Sequence, residues 1–291
     1  MTANKAAVRD AAHTLVGSIA DCAFRLRYPS ANGADEPPPP GTLYDQTEQL
    51  LTADPPAVRA ALDGLLRGEL VPGEPDLIKL ECAGLYGRDA LSAYVLRLRY
   101  ALGLAEEDDV HLLSDRIIAA FSDRSGSVTE QLDRQRPWGK LIDAVLKKTD
   151  PRDARLADTV TRALTPDAFP GADGAVAYTF LCKEVSGLKP PTARMKTVAL
   201  VVSSLAVIQG DGFETWLRHA GKAAPARLSA ALEHVGLPEA ASVVREADAC
   251  RSQPNADETF RDFGTRLCAS YTDAELTALA EVYLADRRKR K

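Results

Sequence analysis

Apolar residues recur along most of this chain at the three- and four-residue steps of an α-helix, not at the alternate positions of a strand. Val8, Ala12, Leu15, Ile19, Cys22 and Leu26 form one stripe and predict a helix over 3–28. Val58, Ala61, Leu62 and Leu65 predict another over 57–68, introduced by an acidic cap and first-turn prolines in Asp54-Pro55-Pro56. The most regular stripe is Leu91, Tyr94, Val95, Leu98 and Leu102, with Arg97 and Arg99 expected to point elsewhere on that helix. Val198 to Val202 is the best strand candidate, but the run continues to Ile208 with alanines, which favours a buried helix. Phe213, Trp216 and Leu217 share one helical face. Ala224, Leu228, Ala231, Leu232 and Val235 repeat the pattern up to Gly236, and Ala240, Val243, Val244 and Ala247 resume it after Pro238. Leu276, Leu279, Ala280 and Tyr283 give an amphipathic last helix. The fold class expected is all-α and multi-helical.

Breaks in the pattern suggest the organisation. Residues 29–40 hold four consecutive prolines and read as a loop or spacer. Residues 165–174 and 186–192 are rich in proline and glycine and also read as loops. A soft boundary near 190 would separate an N-terminal helical region, 1–190, from a compact helical domain, 191–291, that ends in the basic tail 287–291. Ser127 to Glu130 and Thr272 to Glu275 both fit the capping box, in which hydroxyl and carboxylate satisfy opposing backbone donors.

At 291 residues the chain can bury a large core, and 45% hydrophobic with 26% charged residues is ordinary for a globular protein. The net charge of −5 argues against a general nucleic-acid binder, so no direct nucleic acid is expected. Cys22, Cys82, Cys182, Cys250 and Cys268 are odd in number and form no CxxC pair, which predicts buried free thiols in a reducing cytoplasm. No stretch reads as a membrane span. His13, His111, His219 and His234 show no ligand-pair spacing, and no nucleophile motif or phosphate loop occurs, so no catalytic residue, metal or cofactor is expected. Glu106, Glu107, Asp108 and Asp109 form the densest acidic run. They precede an apolar helix, whose N-terminal dipole they would complement. The alternative use is a patch that imitates DNA phosphates.

Gln209-Gly210-Asp211-Gly212-Phe213-Glu214-Thr215-Trp216-Leu217 is the most distinctive stretch. Its two glycines can take positive φ angles and stop one helix before another starts. An apolar helix, this Gly-Phe motif, an aromatic segment, a break at Val235-Gly236 and a last helix after Tyr271-Thr272-Asp273 follow in order. That order resembles a bacterial family of small helical proteins best known from a DNA-mimic protein, over about residues 193–290. Asp211 stands where the family tends to have glycine, and Thr215-Trp216 replaces a more usual Gln-aromatic pair.

The resemblance implies a non-enzymatic protein that binds a DNA-binding regulator as an acidic mimic, acting as a dimer. Asp211 and Glu214 then join Glu106, Glu107, Asp108 and Asp109 as candidate partner-binding residues, while Gly210, Gly212, Phe213 and Trp216 are expected to shape and pack the domain. Residues 196–286 carry 13 acidic and 8 basic side chains, and the tail opposes that balance. Two other readings stay open: an immunity or antitoxin-like protein that blocks a toxin, and an enzyme with a dispersed helical site.

Overall fold

A computed structural model describes residues 4–28, 39–123, 128–147, 150–250 and 256–285. Among these the chain is helical, with fifteen α-helices and no strand. It divides into two compact units that are interleaved along the sequence. The first comprises 1–164 and 184–188, the second 165–183 and 189–291.

In the first unit, α1 (Lys5–Arg27) packs on α2 (Pro39–Ala53), α3 (Pro55–Arg67) and α4 (Glu74–Cys82). α5 (Gly87–Ala101) is central to the rest, touching α3, α7 (Val128–Leu146) and α8 (Ala154–Ala163), while α6 (Glu107–Ser122) lies on α7. The predicted stripes lie in the core: Leu15, Ile19, Ala61, Leu62, Val95 and Leu98 are at most 1% exposed. Asp54 caps α3 through Ala57 N–H at 3.1 Å, and Pro55 and Pro56 occupy its first turn.

The second unit holds α9 (Gly171–Glu184) up to Lys183, then α10 (Ala193–Asp211), α11 (Phe213–Ala220), α12 (Ala224–His234), α13 (Pro238–Ala249), α14 (Ala256–Ala269) and α15 (Asp273–Ala285). α12 and α13 are its most extensive pair. Thr272 caps α15 as expected: its hydroxyl accepts from Glu275 N–H at 3.2 Å, and its own N–H donates to the Glu275 carboxylate at 2.9 Å.

Several expectations need correction. Pro39 and Pro40 belong to α2, because proline is tolerated in a first helical turn; the rest of the expected spacer, and Ser127 of the other capping box, lie outside the described residues. Residues 171–174 are not loop but the start of α9. Gly174 is there for packing, since a Cβ would fall 2.5 Å from the Phe169 backbone. α10 extends the apolar run at both ends, and at 19 residues is long and apolar enough to cross a membrane. Met195, Val198, Val201, Leu205 and Ile208 bury one side of it within the second unit.

Candidate partner-binding surface

The Gly-Phe motif is a corner between helices. Gly210 is still helical, and Gly212 breaks α10 with φ +87° and ψ 158°, a conformation nearly confined to glycine. Gly212 then begins α11, its carbonyl accepting from Trp216 N–H at 3.2 Å. The turn directs Phe213, Trp216 and Leu217 inward, all at most 5% exposed. The Phe213 ring lies 5.5 Å from Trp216 and 6.0 Å from Phe260 on α14. Asp211 stays exposed, and Glu214 is half-buried and ion-paired with Arg218 one turn on.

The acidic run at the start of α6 splits in two. Glu106, Glu107 and Asp108 are exposed, but Asp109 is 4% exposed. Its Oδ2 accepts from Arg99 Nε at 2.9 Å and from Glu106 N–H at 3.0 Å. Asp109 is therefore bound internally, whereas the other three face solvent. This run and the pair Asp211 and Glu214 lie in separate units.

Arg97 and Arg99 do not point away from the core as expected; each is 5% exposed. Arg97 donates to Asp153 through Nε at 3.0 Å and Nη2 at 2.6 Å, and the Tyr44 hydroxyl donates to the same carboxylate at 2.6 Å. Arg152 stacks 4.8 Å from the Tyr44 ring centre and bridges Asp45 at 2.7 Å and Asp150 at 3.2 Å. Burial lowers the basicity of Arg97, but the bond to Asp153, that carboxylate's charge and the neighbouring Tyr44 and Tyr94 together outweigh it, and the guanidinium stays charged. Burial likewise keeps the Tyr44 hydroxyl protonated. Asp153 is 1% exposed and fully engaged, so the group clamps α2, α5 and the turn Pro151–Asp153 together and offers no reactive atom to a substrate.

Two of the histidines are engaged in the same way. His13 Nδ1 lies 2.7 Å from Asp76 Oδ2, and His234 Nδ1 lies 2.6 Å from Ala230 O. A cavity of about 310 Å³ between α12 and α13 is lined by Pro225, Ser229, Glu233 and Arg245, with Ser229 donating to Ala241 O at 3.2 Å. A second of about 310 Å³ is lined by Tyr86, Asp89, Glu130, Asp133 and Arg134. No three His, Cys, Asp or Glu side chains among the described residues are grouped to hold a metal. Of the cysteines only Cys22 is buried, and Cys82 and Cys268 are exposed, unlike the expectation of buried thiols throughout.

An unpredicted surface sits on the first unit. α4 buries Asp76 beside Leu80, each 4% exposed, and presents Leu77 and Ile78, at 43% and 54%, to solvent. Asp76 is held inward by His13 on α1, and Arg27 at the other end of α1 approaches Gly84, so the two helices run in the same direction. Phe24, Leu26 and Tyr28 at the end of α1, and Val71 and Tyr86 beside α4, are also exposed. Phe24 and Tyr28 stack at 4.7 Å. These two packed segments carry seven of the nine large apolar side chains that are exposed among the described residues. Clustered exposed apolar residues mark interaction sites, whereas scattered ones need no explanation.

No known protein family, curated protein or solved structure matches this chain.

Proposed function

We propose that this protein works in the cytoplasm by binding another protein, and not by catalysis. The observation that carries this reading is the exposed apolar surface of α1 and α4, with Leu77 and Ile78 displayed where Asp76 is buried. The closed state of four buried charged groups supports it. Arg97, Asp153, Arg99 and Asp109 are consumed in ion pairs, whereas a catalytic group needs an unspent proton or lone pair aimed at a substrate.

Acidic mimicry of DNA toward a DNA-binding regulator is the finer form of this proposal. It draws on the exposed carboxylates Glu106, Glu107 and Asp108 and on Asp211. An immunity protein that blocks a toxin would use the same kinds of surface and differs in the partner captured.

The test is a photo-crosslinking residue placed at Ile78 of the full chain in its native cells, with the same residue at Val207 as control. A discrete adduct to another protein from position 78, absent from 207, is the expected result. An adduct to a second copy of this chain would make the surface a dimer interface. No adduct at position 78 under conditions where the chain is folded would sink the reading.

A further inference from the structure

The chemistry around the α1 and α4 surface narrows the class of partner. Glu69, Glu74 and Glu81 are exposed around α4, and none forms an ion pair among the described residues. Of the neighbouring cations, Lys79 lies 3.8 Å from Asp76 and Arg25 bonds Asp21 at 3.1 Å, while Arg27, 5.6 Å from the Tyr28 ring centre at the end of α1, and Arg88, which donates to the Arg67 carbonyl, keep their charge off the exposed face of α4 that carries Glu74, Leu77, Ile78 and Glu81. Apolar Leu77 and Ile78 thus stand among open carboxylates. On the other side of the α4–α5 loop, Tyr86 and Asp89 line the second cavity together with Glu130, Asp133 and Arg134, three carboxylates to one guanidinium.

We infer that this surface receives a basic amphipathic segment of the partner protein. The segment's apolar residues would cover Leu77, Ile78 and Tyr86, and its lysines or arginines would meet Glu74, Glu81 and Asp89. The inference rests on the protein-binding reading and adds the sign of the partner's charge. Helix-in-groove recognition works this way, with apolar anchors supplying affinity and the charged rim supplying selectivity. Nucleic acid and anionic membranes share the wrong charge: their phosphates would approach unpaired carboxylates, a repulsive arrangement that apolar contact at Ile78 would not offset.

The probes are two fluorescent 18-residue helices, one of leucine and lysine, the other with glutamate at every lysine position. Binding to the full chain is followed by anisotropy in low and high salt. The Leu/Lys helix is expected to bind about 100-fold more tightly than the Leu/Glu helix, with affinity falling as salt screens the rim. Ile78→Asp, and Glu74→Lys combined with Glu81→Lys, should each weaken it by about tenfold or more. All three positions are exposed, so unchanged circular dichroism is expected to show an intact fold. Val282→Asp on α15, also an exposed apolar site, should leave binding unchanged. Equal binding of both helices, Leu/Lys binding that survives both sets of substitutions, or tighter binding to anionic vesicles than to the Leu/Lys helix would each overturn the inference. A crosslinked partner at position 78 without any Leu/Lys preference overturns this inference alone, whereas loss of both signals overturns the protein-binding reading as well.

Discussion

Asp153→Ala tests the most deeply buried ionic group among the described residues. Asp153 is 1% exposed and accepts two bonds from Arg97 and one from Tyr44. Truncation leaves a guanidinium 5% exposed with no counter-charge, a change that costs about 3–5 kcal/mol when one partner of a buried pair is removed. The Tyr44 hydroxyl loses its acceptor as well, which places the total near the top of that range, about 5 kcal/mol. Whole domains have only about 5–15 kcal/mol to lose, so the first unit should be close to unfolding. Replacing both ions, Arg97→Met with Asp153→Leu, should recover most of the loss because no charge is then stranded. The assay is urea denaturation read by tryptophan fluorescence. The chain has two tryptophans, buried Trp138 in the first unit and buried Trp216 in the second. A Trp216→Phe background therefore reports the first unit alone and avoids assuming that both units melt together. A loss below about 1 kcal/mol for Asp153→Ala, or a double variant no more stable than the single one, would refute the stranded-charge argument.

Three further outcomes are expected. Gly210 is helical with open space at its Cβ, so Gly210→Ala should stabilise the second unit by about 0.5–1 kcal/mol, while Gly212→Ala should cost about 1–3 kcal/mol through backbone strain; Trp216 fluorescence in a Trp138→Phe background measures both. Asp150 is pushed up by burial but pulled further down by its bonds from Arg152, and a depressed carboxyl stabilises the fold above its unfolded pKa and loses that contribution as pH falls. Acid titration of stability should therefore steepen below about pH 4, and Asp150→Asn should flatten that limb. Burial pushes the Cys22 thiol up to about 12, so at pH 8 iodoacetamide should label exposed Cys82 in the native chain and spare Cys22 until urea is added.

Much of the fold was legible because buried stripes at helical spacing need no knowledge of their partners. Leu91, Val95 and Leu98, or Leu228 and Leu232, declare a face by themselves. The corner at Gly212 was legible for a similar reason, since glycine beside an aromatic stripe implies a turn that buries it. What escaped depended on distant pairing. Arg97 and Asp153 are 56 residues apart, and nothing local to either says that an arginine on the core side of α5 has an acid waiting for it. The exposed face of α4 escaped for the same reason: Leu77 and Ile78 face solvent while Asp76 turns inward to His13, 63 residues upstream. The acidic run was seen, but the loss of Asp109 to Arg99 was not, because the sequence does not show which arginine turns toward it.

The interleaving of the two units bears on how the chain is made. Val185 and Leu188 are buried in the first unit, and a Cβ on Gly187 would lie 2.9 Å from Leu146, so the first unit lacks a piece of its core until residue 188 is available. By then the ribosome has already produced 165–183, which has to wait for partners that lie after 189. At roughly 5–20 residues per second this gap, residues 165–188, lasts about 1–5 s. During that interval buried groups such as Tyr178 and Val176 have no second unit to enter, and Trp138 sits in a first unit not yet closed. Synthesis thus passes through a stage in which both units are unfinished at once, and no single cut in the gene separates them cleanly: a cut after 188 leaves 165–183 with the first unit, and a cut before 165 leaves 184–188 with the second.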